Sequence, residues 1–118
     1  MKTDILERKD VEKLVNEFYR KVFADELLAP VFSQVDWQHH APIMYNFWSS
    51  MLLGDKTYAG NPFQKHVDLS IGVVHFERWL YLFSTTVDEH FEGLTANEAK
   101  ARAQSIAAIF QHKLGLKP

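Results

Sequence analysis

Histidine 66 closes the stretch "FWSSMLLGDKTYAGNPFQKH", in which an apolar run stops at Gly54, crosses a polar loop and passes Asn61 and Pro62. An imidazole set after such a loop, between aromatic segments, can be a surface residue or a ligand aimed into an apolar pocket. Three further side chains bear on that choice. Tyr19, His40 and Trp79 each fall on the apolar side of a helical pattern, and each carries a hydrogen-bond donor. Singly, each has an ordinary reading. His66 would be structural, Tyr19 and Trp79 would be core rings, and His40 would be an exposed or capping side chain near a helix start.

Taken together, the four side chains fit one chemistry. A haem iron needs a strong neutral imidazole on one side, and on the other apolar walls with few donors, so that a bound ligand is held while water is limited.

Competing site chemistries lack their residues. With no cysteine, disulfides, thiolate metal sites and a cysteine nucleophile are excluded. The six histidines include no HExxH pair, and no Glu-x-x-His repeat supports a di-iron bundle. "DEHFE" reads as a solvated helix face. The five glycines are isolated, so no phosphate-cradling loop exists. The net charge of −2 carries no basic stripe, which argues against nucleic acid. No apolar run approaches the ~18 residues of a membrane span, and the charged start "MKTDILERKD" is no signal peptide. A cytoplasmic location is the expectation.

The elements that must position these residues are helical. A chain of 118 residues suits one domain, taken as 1–118, able to bury roughly two-thirds of its unfolded surface. Its apolar (47%) and charged (24%) fractions are ordinary, but 14% aromatics exceed the needs of a small core. Asp10 is expected to cap a helix in which Val11, Leu14, Val15, Phe18 and Val22 recur at helical spacing. "ELLAPVF" suggests a short helix with Pro30 in its first turn. Asp36 is expected to open a helix ending at Gly54, with Trp37, Ala41, Met44, Phe47 or Trp48, and Met51 inward. His40 shares that face, and His39 meets solvent. Pro42 disfavours helix at Ala41, which predicts a start nearer Ala41 with His40 on a kinked turn. After a brief turn from Pro62 to about His66, "VVHFERWLYLFSTTVDEHF" reads as a long helix with Phe76, Trp79 or Leu80, and Phe83 on one side. "TANE" from Thr95 reads as a capping box for a last helix to about Leu114, with Ala103, Ile106, Ala107 and Phe110 inward. The fold class is all-α.

"VNEFYRKVFADELLAPVF", "FWSSMLLGDKTYAGNPFQKHVDL" and "HFERWLYLF" together resemble the truncated haemoglobins, and specifically their third group, from about Val11 to Leu114. The "FW…Y.GNP…H" run is the most specific piece. The resemblance implies a two-over-two helical sandwich around haem b. It implies His66 as the iron ligand, Tyr19 as the distal tyrosine and Phe32 against the haem plane. It further implies His40 at the distal histidine position, Met44, Phe47, Trp48 and Met51 along the haem-facing wall, and Trp79 facing ligand with Phe76 nearby. Tyr19, Trp79 and His40 are thus the candidate catalytic set. Relatives often carry a basic residue at the position of Ile43, so any propionate anchor here must come from elsewhere. The implied function is binding of dioxygen and other diatomic ligands, with nitric oxide dioxygenation or peroxide activation as further chemistry that needs an unidentified reductase. The competing reading is a haem-free helical interaction module, with Trp37 or Phe91 seating a partner helix.

Overall fold

The computed structural model describes residues 2–56, 58 and 71–116. It contains four helices, α1 (Arg8–Ala24), α2 (Trp37–Leu53), α3 (Val73–His90) and α4 (Leu94–Lys113). Helix α1 packs on α2 and α3 on α4, and α1 crosses onto α3 to join the pairs. This is the two-over-two sandwich. Among the described residues there is no strand, only an isolated bridge between Thr3 and Phe91. No described helix is long and apolar enough to cross a membrane.

Helix α1 buries Val11, Leu14, Val15, Phe18, Tyr19 and Val22, the 3-or-4 stripe of its sequence. It begins before the expected cap. Glu7 is the N-cap, and Asp10, three residues inside, turns its carboxylate back to the amides of Leu6 and Glu7, both at 3.0 Å. A carboxylate at the third position thus satisfies the amides at the helix entry, where a cap would have reached those inside the first turn.

The expected short helix around Pro30 is instead a run of turns. Asp25 starts it, its backbone oxygen accepting from Ala29 at 2.8 Å while its carboxylate accepts from Leu27 and Leu28. Side-chain bonds to the amides replace the regular helical ladder there.

Helix α2 opens at Trp37 after Asp36, despite Pro42 within it. His39 and His40 both donate their N–H to the Asp36 carbonyl, at 3.1 and 2.9 Å, so the turn ahead of the proline is closed. The expected later start is therefore corrected. Gly54 ends the helix at φ +73°, a left-handed conformation that glycine adopts without strain.

Helix α4 begins at Leu94, and its cap is not the predicted local box. Asp4 accepts from the amides of Thr95 (2.9 Å) and Ala96 (2.8 Å), while Glu98 pairs with Arg102 one turn on. The core joins Phe18, Trp48, Phe83, Val87 and Ala99 to Ile5 and Phe91 of the bridged segment. Phe91 is only 4% exposed, so it is not a surface seat for a partner helix.

Candidate functional site

A largely apolar cavity opens between the helix pairs. Tyr19 of α1 and Leu28 and Phe32 of the following turns line one side. Met44, Phe47 and Trp48 of α2 line the next. Ile71, His75, Phe76 and Trp79 enter from the start of α3, and Ile106, Ala107 and Phe110 from α4. Among these described lining residues, only Tyr19, Trp48, His75 and Trp79 carry a side-chain nitrogen or oxygen.

Helical spacing explains the convergence. Met44, Phe47 and Trp48 lie within four residues of one another on α2, as do His75, Phe76 and Trp79 on α3. The ring lattice behind them fixes their orientation. Trp79 stacks on Phe83 (centroids 5.7 Å, planes 14° apart) and meets the edge of Phe18 at 5.6 Å. Trp48 stacks on the other side of that cluster against Phe83 at 4.7 Å. Phe47 meets Tyr58 edge-on at 5.2 Å.

Tyr19 is 4% exposed, and burial pushes its phenol far above the ordinary range. The hydroxyl stays protonated and is a donor at any working pH. Among the described residues no hydrogen bond to it is found. Its ring is held by Trp37 at 4.9 Å, by Phe32 at 6.1 Å and by the edge of His40 at 5.6 Å.

The remaining sequence-predicted residues fall in three places. His40 is half-buried and contacts Tyr19 and Trp37, standing behind the lining rather than in it. Met51 packs against the core, past the end of the cavity. His66 lies outside the described residues, as does the turn from Pro62. The "DEHFE" carboxylates face other helices: Glu89 pairs with Lys21, and Asp88 with Lys100 at 2.7 Å.

Several lining residues were not singled out as site residues. Ile106, Ala107 and Phe110 were read as inward on α4, but nothing local says what an inward face meets. Leu28 is presented by turns that sequence periodicity does not describe. His75 had a usable signal, its place four residues before Trp79.

One ion pair, buried on its carboxylate side and exposed on its guanidinium side, ties the turns to α3. Asp25 accepts from Arg78 Nε at 2.7 Å, with its carboxylate 7% exposed. Burial pushes that carboxyl up, but Arg78 and the amides of Leu28 and Leu27 outweigh it and hold the carboxyl below its ordinary range. Leu28 and Trp79, on either side of the pair, both line the cavity.

Comparison with known proteins bears on what this cavity is for. A family model described as bacterial-like globin matches residues 5–113. The chain is 36% identical over 121 residues to a group 3 truncated hemoglobin of Campylobacter jejuni, covering 97% of this chain and 95% of that one. The crystal structure of a group III truncated hemoglobin from Campylobacter jejuni superposes with a TM-score of 0.87 over 97% of this chain and 95% of that chain, at 36% identity. A truncated hemoglobin from Tetrahymena pyriformis in its Fe(III) form superposes with a TM-score of 0.70 at 25% identity, over 93% of this chain and 92% of that one.

Proposed function

The chain belongs to the bacterial-like globin family, as a group 3 truncated haemoglobin, and from that premise we propose that it is a haem b protein that binds dioxygen and other diatomic ligands. The cavity fits a flat apolar group. Its walls are side chains of Phe32, Met44, Phe47, Trp48 and Phe76, its donors are few, and one of them, Tyr19, has a hydroxyl without a described protein partner. His66 is the residue we assign to the iron, through one neutral ring nitrogen. Bound there, haem would supply an iron able to take a small ligand.

The chain's own work is then electrostatic. A diatomic ligand carrying partial negative charge would be a strong hydrogen-bond acceptor. The Tyr19 hydroxyl and the Trp79 indole N–H are rigid donors for it, and His40 acts on Tyr19 through their ring contact. The buried, always protonated Tyr19 is the observation that carries the reading. A site that grips its ligand in this way suits chemistry on the ligand better than its delivery. Nitric oxide dioxygenation and peroxide activation both fit, with electrons from a separate reductase. A chain with no cysteine also suits the reducing cytoplasm.

The first experiment is an absorption spectrum of protein supplied with haem, where a Soret band is expected and a colourless product ends the proposal. The second is stopped-flow oxygen release. A hydrogen bond to a charged acceptor is worth about 1.5–3 kcal/mol, so Tyr19→Phe is expected to release dioxygen roughly ten- to a hundredfold faster. An unchanged rate removes Tyr19 from the mechanism. His66→Ala is expected to lose the axial bond, and a ligated-haem spectrum like that of wild type would assign the iron to another residue.

A further inference from the structure

His75 differs from the other polar groups of the cavity in place and in ring state. It lies one turn before Trp79 on the same face of α3. It is half-buried where Tyr19 is sealed, which puts it at the outer margin of the cavity. Its Nδ1 accepts the Gly72 N–H at 2.9 Å. A neutral imidazole has one donor and one acceptor nitrogen. With Nδ1 accepting, the proton sits on Nε2, and the outer edge of the ring can only donate. Coordinating a metal through Nε2 would move that proton to Nδ1 and break the bond from Gly72. The backbone therefore sets His75 as a donor and not as a ligand.

No lysine or arginine is among the described residues that line the cavity. Ile43 packs against the core instead. An occupant with a broad apolar body and acidic groups at its edge would find apolar walls inside and one fixed N–H donor at the margin. We propose that His75 Nε2–H hydrogen-bonds a carboxylate of the occupant, which, on the haem reading this inference rests upon, is a haem propionate.

The test compares haem with its dimethyl ester, which replaces each carboxylate with a neutral, weaker acceptor and adds one methyl. Wild type and His75→Phe are loaded with each, and cofactor loss to excess apomyoglobin is timed. With haem, His75→Phe is expected to lose cofactor about three- to tenfold faster, as for one partly exposed hydrogen bond. With the ester, where only a neutral acceptor remains, the ratio is expected to shrink to less than half of that with haem. The same ratio for both cofactors would mean that His75 acts by packing alone, which overturns the proposal. A second readout does not depend on ester loading. The His75 Nε2 proton, assigned by its disappearance in His75→Phe, is expected to exchange slowly with solvent in the haem-loaded, carbon monoxide-saturated ferrous protein. Fast exchange there overturns the proposal even with a normal Soret band, whereas the lack of any Soret band in wild type overturns the haem reading itself.

Discussion

The two halves of α3 share one helix and have different surroundings. From Leu82 onward the helix is packed solid: Phe83, Thr86 and Val87 are fully buried, and the Thr86 hydroxyl donates back to the Leu82 carbonyl at 2.7 Å. Before Leu82, the same face presents His75, Phe76 and Trp79 to a cavity. The boundary is the Trp79–Phe83 stack, where one ring faces the cavity and the next is enclosed. Close-packed interiors leave few voids larger than a water. An apolar cavity lined by ordered rings is thus a place where core residues are used to receive something rather than to fill space.

That contrast predicts unequal responses to truncation. Phe83→Ala removes a ring that contacts Phe18, Trp48 and Trp79, and should destabilise the protein by about 3–5 kcal/mol. Phe76→Ala widens a cavity that already exists, so fewer contacts are lost, and about 1–2 kcal/mol is expected. Urea unfolding of the two variants without cofactor measures both. Equal losses would mean that the two halves are packed alike and that the cavity has no energetic signature.

The Asp25–Arg78 pair is where the open half is fastened. Asp25→Ala leaves the Leu27 and Leu28 amides and Arg78 without the carboxylate, for an expected loss of about 1–3 kcal/mol. The pH dependence has a definite sign. A carboxyl held below its ordinary value of 3.8 contributes its stabilisation fully above that value and loses it as pH falls through the lower, folded value. Wild type should therefore lose stability steeply below about pH 4. Asp25→Asn, which does not titrate, should be weaker at neutral pH and flatter in acid. Parallel acid profiles for the two proteins would show that Asp25 contributes nothing through its charge.

Local patterns in the sequence were good guides wherever the partner was local. The stripes of α1 and of α3, the left-handed end at Gly54 and the opening of α2 after Asp36 all depend on neighbours within four residues. The cap of α4 could not be found in that way, because Asp4 reaches it from the other end of the chain. "TANE" has the right residue types, but a carboxylate from elsewhere had taken the amides. Asp10 takes part in the start of α1 from the third position rather than as its cap, accepting from the amides behind it instead of those ahead. The cavity was half legible. Phe76 and Trp79 follow from periodicity, but Met51 continues its stripe past the point where the cavity ends. His75 was passed over because histidines were weighed as metal ligands, and its bond from Gly72 becomes visible only in three dimensions.

The smallest effect belongs to the closed half. Gly93 has φ +142°, and a Cβ there would come within 2.5 Å of Asp4 Cγ and 2.6 Å of Oδ2. Gly93→Ala must therefore strain the backbone and displace the carboxylate that caps α4, at about 1–2 kcal/mol. In an Asp4→Ala background the carboxylate is gone, so only the approach to the Cβ of residue 4, at 2.8 Å, and the backbone part of that cost should remain. Additive losses in the double mutant would show that the two residues act separately. The sharper check is at the cavity. Gly93 and Asp4 lie outside its lining, so oxygen release from Gly93→Ala should match wild type even as its unfolding midpoint falls. A faster release would mean that the closed half is mechanically linked to the open one, and that the division of α3 at the Trp79–Phe83 stack does not hold.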